Sequence, residues 1–331
     1  PAPSSDAARA TAVARLGELH GLALARKAAV LAAVGRHNLL MVGPPGTGKT
    51  RLARLIGDLQ APLADDEALA VTAIHSAAGL LDGGSLARRR PFRAPHHTTT
   101  RSGLVGGGAA LRPGEATLAH GGLLFLDELA EFAPAVLDAL REPLEDGVVS
   151  VVRGYGRRTF PAAFQLVGAT NPCRCGRLGD GAQACRCQAA ERRRYLSRLS
   201  GPLLDRFDLF VEVGAWQGVL PAVLGGEAGP ARPGAADGWR RRPELADLDR
   251  ARRRLAEAAP LGLGTDAAGR LDVRTRQLGL SLRGASRCAA VARTIAALDG
   301  APAVAACHVD EALEFRSGAA LPMLEAAGPG A

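Results

Sequence analysis

The sequence predicts an α/β fold, in which a core with a central parallel sheet precedes a smaller α-helical lid domain. Short apolar runs at residues 38–42 and 123–126 have the length and composition of buried parallel strands. A glycine-rich segment at residues 43–48 joins the first run to a predicted helix at residues 50–59. Residues 244–318 follow a mostly helical pattern. Strand, glycine loop and helix in this order are typical of cores that bind nucleotides.

The composition is that of a globular protein with a basic surface. The 331 residues are 47% hydrophobic and 22% charged, which is enough apolar material for a sizeable core. The net charge of +8 favours polyanionic partners, although an arginine-rich proteome would give the same balance. No apolar run reaches about 18 residues and no signal peptide is visible, so we expect a cytoplasmic protein with no membrane partner.

We expect the domain boundary in a linker rich in glycine, proline and alanine. This linker covers residues 214–243 and separates the α/β core, residues 1–213, from the lid domain, residues 244–331. Within the core, one helix is predicted at residues 7–34 and another at residues 134–145.

The later part of the core is predicted to be β-structure. Residues 148–153 and 157–160 flank a Gly-Tyr-Gly turn, which is the pattern of a β-hairpin. Residues 164–170 form a further apolar run and are predicted to be the next strand.

The glycine-rich segment matches the Walker A pattern G-x-x-x-x-G-K-[ST]. Its glycines let main-chain N–H groups turn toward phosphate oxygens, and the helix behind it adds the dipole of its N-terminus. Lys49 would place a positive charge on the β- and γ-phosphates of ATP, and Thr50 would offer its hydroxyl to Mg²⁺. A chance glycine-rich turn is the alternative. The predicted ATP-binding residues are Gly43, Pro44, Pro45, Gly46, Thr47, Gly48, Lys49 and Thr50.

Two acids at the end of the second apolar run match a Walker B element. Asp127 can hold hydrated Mg²⁺, and Glu128 can orient and polarise an attacking water. Asn171 directly follows a predicted strand, at a sensor 1 position where an amide can bridge this water and the γ-phosphate. The alternatives are a helix-capping acid pair and an ordinary turn asparagine.

Two arginines are further candidates for catalysis. Arg206 is the candidate arginine finger, which reaches the γ-phosphate of a neighbouring subunit and raises the rate by roughly 10³–10⁵. A local salt bridge is the alternative role for Arg206. Arg283, in the helical part, is the candidate sensor 2 that closes the lid over the nucleotide, with Arg287 and Arg293 as alternatives.

Four of the six cysteines are clustered. Cys173 and Cys175 are separated by nine residues from Cys185 and Cys187. Four thiolates can hold Zn²⁺ tetrahedrally, and such a cluster in a reducing compartment indicates metal more than disulfides. Two disulfides and four free thiols are the alternatives.

The predicted hairpin carries three arginines, and an earlier loop carries two histidines. Arg153, Arg157 and Arg158 can follow a DNA backbone without reading bases, with a solvated charged hairpin as the alternative. His96 and His97 have no acidic neighbour in the sequence, so we expect them at a subunit interface or a DNA contact. A structural role is the alternative, and metal binding is disfavoured.

Several longer segments are distinctive. They are RPFRAPHHT at 90–98, GGG at 106–108, RPGE at 112–115, LAH at 118–120, GLLFLDE at 122–128, LREPLE at 140–145, NPC at 171–173, SGPLLDR at 200–206 and ARTIA at 292–296. In this order they resemble the ComM/YifB family, the magnesium-chelatase-like AAA+ ATPases. The similarity runs from about residue 15 to residue 318.

The resemblance implies a hexameric DNA helicase that acts in branch migration during natural transformation and recombination. It also implies an AAA+ core with a helix-2 insert near residues 101–120 and a hairpin before sensor 1 near residues 148–160, followed by the cysteine cluster at residues 173–187. Family members usually carry an N-terminal Lon-protease-like domain, whereas this chain begins just before the ATPase region. A fragment and a shortened form both fit that difference.

Three classes of function follow from these predictions. The first is an ATP-driven motor on single-stranded or branched DNA. The second is a magnesium-chelatase-like motor subunit that remodels a protein partner, and the third is a nucleotide-gated assembly module with little turnover. The cysteine cluster and the histidine pair favour the first class over the second, while Glu128 and Arg206 argue against the third.

Overall fold

The computed structural model describes residues 5–19, 22–81, 86–107, 112–153, 156–178, 184–214, 243–257 and 261–317. Nearly all of the predicted linker, residues 215–242, lies outside this described part, as do residues 318–331. The division into core, linker and lid domain at the predicted boundaries therefore stays a prediction.

A parallel five-stranded sheet forms the centre of the described core. Its strand order is β2-β3-β6-β1-β7, and all four neighbouring pairs are parallel, as the predicted fold class requires. An antiparallel hairpin of β4 and β5 stands apart from this sheet. The strands are β1 (Leu39–Val42), β2 (Phe92–Arg93), β3 (Leu123–Leu126), β4 (Val148–Arg153), β5 (Gly156–Pro161), β6 (Gln165–Thr170) and β7 (Leu209–Glu212).

Helices cover the sheet on both faces and form the lid. The core helices are α1 (Ser5–Gly17), α2 (Ala23–Gly35), α3 (Lys49–Leu59), α4 (Asp65–Ala77), α5 (Arg101–Val105), α6 (Glu115–Leu118), α7 (Pro134–Asp138), α8 (Arg141–Asp146), α9 (Ala189–Leu196) and α10 (Gly201–Leu204), with a 3₁₀ turn at Leu129–Glu131. The lid helices are α11 (Leu245–Ala256), α12 (Thr265–Gln277), α13 (Leu282–Leu298) and α14 (Ala306–Ser317). None of these described helices is long and apolar enough to cross a bilayer.

The two faces of the sheet belong to two apolar cores. Leu39 and Met41 of β1 point to one face while Leu40 and Val42 point to the other, because side chains alternate along a strand. The first face packs against α1, α2, α3 and the lid helices. The second packs against α5 to α10 and the hairpin. With both faces covered, every residue of β1 is buried, which explains its uninterrupted apolar sequence.

Two predicted helices are each divided into two in the structure. The segment at residues 7–34 forms α1, which ends at Gly17, and α2, which begins at Ala23, and a glycine weakens a helix. The segment at residues 134–145 forms α7 and α8. Pro143 lies in the first turn of α8, where a residue without an N–H group is tolerated.

The lid contacts the core through helix α13. This helix packs against α2, and the His37 Nε2 and Thr294 Oγ1 atoms lie 2.8 Å apart across that contact. Gly35 makes the approach possible, because a Cβ atom there would lie 2.3 Å from His37 Nε2. The lid is thereby attached to the amino-terminal end of β1.

Candidate functional site

The carboxyl ends of three adjacent strands bring the predicted nucleotide-binding residues together. The glycine-rich segment follows β1, Asp127 follows β3 and Asn171 follows β6. These strands are parallel neighbours in the order β3-β6-β1, so their carboxyl ends share one edge of the sheet. Ligands of open α/β sheets bind at this edge.

The loop after β1 is held close to its neighbours by main-chain contacts. The Gly43 N–H donates to the Thr170 carbonyl oxygen at 3.1 Å, and a Cβ on Gly43 would lie 2.0 Å from the Val213 carbonyl oxygen. Gly48 has a φ of 88°, which favours glycine, and α3 begins at the next residue. The loop therefore leads directly into a helix N-terminus, which attracts anions.

Lys49 lies inside this loop. Its ammonium group donates to the carbonyl oxygens of Gly43 and Pro44, both at 2.7 Å, and to Asn171 Oδ1 at 3.3 Å. The residue is only 7% exposed. Burial lowers the pKa of Lys49 to about 8, while the carboxylates of Asp127 and Glu128 act in the opposite direction. The Lys49 amine thus contacts both the predicted Walker A segment and Asn171, the predicted sensor 1 residue.

Thr50 and Asp127 meet at the edge of the same site. The Thr50 hydroxyl donates to Asp127 Oδ2 at 2.6 Å. A hydroxyl and a carboxylate are the oxygen donors that Mg²⁺ prefers, and both stand beside the loop that would hold the phosphates. The described residues therefore fit a Mg²⁺ ion.

Glu128 has an acid–imidazole contact that the sequence did not reveal. Its Oε2 atom lies 3.0 Å from His97 Nδ1, and the His96 and His97 rings lie 4.1 Å apart between centroids. Glu128 adopts a left-handed backbone conformation with φ 52°, which is uncommon for a residue other than glycine. The expectation that His97 lacks an acidic partner is wrong, because strand β2 pairs with β3 and places the two segments side by side.

Arg206 and Arg283 lie together at the opposite edge of the sheet. Arg206 forms an ion pair with Glu145, and Arg283 Nη1 lies 3.0 Å from the same Glu145 carboxylate. Asp208 lies beside the start of β1, since its Oδ2 accepts from the Asn38 N–H at 2.7 Å. The four-residue strand β1 separates this edge from the glycine-rich loop by about 13 Å.

The two alternative lid arginines are engaged elsewhere. Arg287 Nη1 donates to Asp208 Oδ1 at 2.5 Å and joins the lid to the core at the same edge as Arg206. Arg293 Nε donates to the Leu261 carbonyl oxygen at 3.1 Å, within the lid.

Comparison with known proteins assigns the family. Residues 15–219 match the family described as magnesium chelatase, subunit ChlI, and residues 240–316 match the C-terminal part of the same subunit. The chain belongs to the magnesium chelatase ChlI family. This confirms the resemblance drawn from the motifs and, with the parallel sheet, the AAA+ fold class.

Several relatives match this ChlI-family chain over most of its length. An uncharacterised protein of Mycobacterium tuberculosis is 43% identical over 319 residues, 92% of this chain and 61% of the relative. YifB of Salmonella typhimurium is 39% identical over 326 residues, which are 95% of this chain and 62% of YifB. Competence protein ComM of Haemophilus influenzae is 40% identical over 309 residues, which are 91% of this chain and 60% of ComM. The ChlI-family chain thus spans about three fifths of the length of these relatives.

The four clustered cysteines lie close together in the structure. The Sγ atoms of Cys173 and Cys175 are 3.4 Å apart, and those of Cys173 and Cys185 are 3.6 Å apart. Including Cys187, all four Sγ atoms lie within 4.8 Å of one another. A disulfide has an S–S distance of about 2.0 Å, so these residues are free thiols in the structure.

Two of the three hairpin arginines are exposed in this ChlI-family structure. Arg157 and Arg158 are neighbours on β5, and their side chains therefore point to opposite faces of the hairpin. Arg157 Nη2 lies 3.5 Å from Ser150 Oγ on β4. The side chain of Arg153 lies outside the described part, so its DNA-binding role stays a prediction.

A cavity of about 550 Å³ lies outside the glycine-rich segment. Residues from α1, the second half of α3 and the segment around β2 line it, among them Arg9, Arg54 and Phe92. None of its lining residues belongs to the glycine-rich segment. The sheet edge that carries the predicted nucleotide-binding residues is therefore separate from this cavity.

Proposed function

We propose that this chain is an ATPase that works as a ring of identical subunits and moves on DNA. The observation that carries the ATPase proposal is the convergence of Lys49, Asn171, Thr50, Asp127 and Glu128 at one sheet edge. Five side chains from three strand ends meet there with the chemistry that phosphoryl transfer needs.

Each residue has a distinct role in this proposal. The N–H groups of the glycine-rich loop and Lys49 hold the phosphates of ATP, and Asn171 orients the water together with the γ-phosphate. Glu128 accepts a proton from that water as it attacks. Thr50 and Asp127 would hold Mg²⁺, which supplies neutralising charge beside the phosphate oxygens.

The ring proposal rests on the position of Arg206. Within one chain it lies across the sheet from Lys49, so it cannot reach the γ-phosphate held by the same subunit. In a head-to-tail ring, one edge of each subunit faces the opposite edge of its neighbour. We propose that Arg206 acts there as an arginine finger, and that Arg283 contributes beside it as sensor 2.

The DNA proposal rests on charge and on relatives. Arg157 and Arg158 are exposed on a hairpin and the chain carries a net charge of +8. One relative is named as a competence protein. We therefore propose that this chain acts in a hexameric helicase that drives branch migration in transformation and recombination.

A second candidate is a motor subunit that remodels a protein partner. The description of the matching family, a magnesium chelatase subunit, favours it. Such a motor would hydrolyse ATP with the same residues. Its rate would respond to a partner protein and not to DNA.

The deciding experiment measures ATP hydrolysis with and without single-stranded or branched DNA at several salt concentrations. The DNA-motor proposal predicts faster turnover with DNA and an affinity that falls with salt. A rate that DNA leaves unchanged would contradict it and favour the second candidate. Absence of turnover under all conditions would contradict both.

A double variant tests the hairpin in the same assay. Arg157→Ala with Arg158→Ala should flatten the slope of log affinity against log salt by about 1.4, at about 0.7 for each contact with single-stranded DNA. The matched control is Arg270→Ala with Arg276→Ala, which removes the same charge from exposed positions of α12. Equal slopes for the two double variants would remove the hairpin from the DNA-binding surface.

We also propose that the clustered cysteines bind one zinc ion. Tetrahedral zinc with Zn–S distances of about 2.3 Å places the sulfurs about 3.8 Å apart. The Sγ–Sγ distances of 3.4, 3.6 and 3.7 Å among Cys173, Cys175 and Cys185 agree with that spacing. The four residues therefore fit a structural zinc site.

A further inference from the structure

The cysteine cluster lies directly against the phosphate-binding loop. Gly176, between the two halves of the cluster, packs on the Pro45 ring so closely that a Cβ there would lie 2.7 Å from Pro45 Cδ. The Gly176 N–H donates to the Cys173 carbonyl oxygen at 2.9 Å, which makes a tight turn. The turn from Cys173 to Gly176 therefore packs directly against Pro45 of the glycine-rich segment.

The same turn adjoins the sensor position. Asn171 is two residues before Cys173, and its Oδ1 accepts from the Lys49 ammonium group at 3.3 Å. Cys173 is fully buried. Any displacement of Cys173 is transmitted along two peptide units to the residue that contacts Lys49.

The second half of the cluster is fixed to a different part of the fold. Arg192, on α9, donates to the Cys187 carbonyl oxygen at 3.2 Å. Helix α9 buries Tyr195 and Leu196 in the apolar core beneath the sheet. A metal shared by both halves would connect α9 with the turn that supports Pro45.

The charges around the cluster suit a metal held by thiolates. Binding of one Zn²⁺ by four thiols releases their protons to solvent and leaves a net charge of −2 on the site. Arg174, Arg177 and Arg186 are each one or two residues from a cysteine of the cluster. Their positive charges offset the charge of a filled site.

We infer that zinc at Cys173, Cys175, Cys185 and Cys187 acts as a brace, holding Gly176 against Pro45 and Asn171 beside Lys49, so that the phosphate loop is ordered before ATP binds. The inference rests on the proposed ATPase function of the same site. It adds that nucleotide affinity depends on a metal that never touches the nucleotide.

The test compares three variants of the full chain. Cys185→Ser with Cys187→Ser removes half of the ligands. Gly176→Ala keeps all four thiols, but it places a methyl group against Pro45 and, at a φ of +77°, strains the turn that holds this contact. The control is Cys307→Ser, which replaces an exposed cysteine of α14 outside the cluster.

Three quantities are measured for each protein: zinc per chain by mass spectrometry, affinity for a fluorescent ADP analogue, and hydrogen exchange of residues 43–48. We expect one zinc in the wild type, in Gly176→Ala and in the control, and a large loss of zinc in the double cysteine variant. Both Gly176→Ala and the double variant should bind the ADP analogue about tenfold more weakly, because the loop must then be ordered during binding. Their loop amides should exchange faster.

The outcomes separate this inference from the ATPase proposal. Wild-type protein without zinc overturns the metal site. Zinc present, with unchanged affinity and exchange in Gly176→Ala and the double variant, overturns the brace alone. If no protein binds the ADP analogue while zinc content and loop exchange still change together, the nucleotide proposal fails and the brace stands as a structural device.

Discussion

At the scale of single residues, the state of Lys49 depends on what surrounds it. Burial lowers its pKa to about 8, so that the amine titrates close to neutral pH. Bound phosphates would add negative charge beside the ammonium group and raise that pKa. Lys49 is therefore expected to couple nucleotide binding to pH.

We predict that ATP affinity is nearly constant below about pH 7 and weakens above pH 8, by up to about tenfold per pH unit. The sign follows from the charged form being favoured in the complex: binding above pH 8 must take up a proton. Titrations with a fluorescent nucleotide from pH 7 to 9.5 test this, with circular dichroism as a check on folding. An affinity independent of pH over that range would contradict the assigned environment of Lys49.

His97 is predicted to position the catalytic carboxylate. Its Nδ1 atom lies 3.0 Å from Glu128 Oε2, and its ring meets that of Phe132 edge-on, with 6.5 Å between the ring centroids. His97→Ala should therefore lower kcat about tenfold with little change in KM, because Glu128 loses its orientation and ATP binding does not depend on it.

Two further variants separate positioning from a general loss of structure. His97→Gln should recover part of kcat, since its amide can still donate to Glu128. His96→Ala, which removes the neighbouring ring tilted by 35° against that of His97, should change kcat less than His97→Ala. A rise in KM with unchanged kcat in His97→Ala would show that His97 serves ATP binding instead.

At the scale of elements, the contact between α2 and α13 attaches the lid. Gly35→Ala would place a methyl group 2.5 Å from Thr294 Oγ1 as well as against His37, and should break their hydrogen bond. We predict a loss of about 1–3 kcal/mol in the free energy of unfolding. Urea denaturation measures it.

The control for this prediction is another glycine of a described helix. Gly269, in α12, has open space where its Cβ would lie, so Gly269→Ala should leave stability unchanged or raise it by up to about 1 kcal/mol. Equal stability changes in both variants would contradict the close α2–α13 contact.

The sequence predicted the strands that carry chemistry better than the strands that support them. The strands at residues 39–42 and 123–126 are buried on both faces and uninterrupted in apolar character, which makes them visible in the sequence. Strand β2 has only two residues, too few to form a pattern. Strand β7 is as long as β1 and β3, but its apolar run has only three residues, flanked by Asp208 and Glu212. Without β2, the contact between His97 and Glu128 could not be foreseen.

The positions of Arg206 and Arg283 in the fold could likewise not be predicted from the sequence. Their shared partner Glu145 belongs to α8, far from both along the chain, and only the tertiary fold brings the three side chains together. Motif spacing identifies residue types. It does not show which edge of the sheet they occupy.

At the scale of the whole molecule, the two sheet edges of one chain hold the residues that we propose as complementary halves of a catalytic site. The carboxyl edge holds Lys49, Asp127 and Glu128, and the amino edge holds Arg206. A single subunit cannot join them across the length of β1. We therefore expect hydrolysis to require contact between subunits, and the rate per subunit to fall on dilution below the assembly concentration.

The most direct test of this account mixes two variants, Glu128→Gln and Arg206→Ala, each of which should lose at least about a hundredfold in kcat alone. Mixed in equal amounts and allowed to exchange subunits, they should recover about one quarter of the wild-type rate, since one interface in four then pairs an intact Glu128 with an intact Arg206. A mixture no faster than the separate variants, or full activity of Arg206→Ala by itself, would contradict a site completed by a neighbouring subunit.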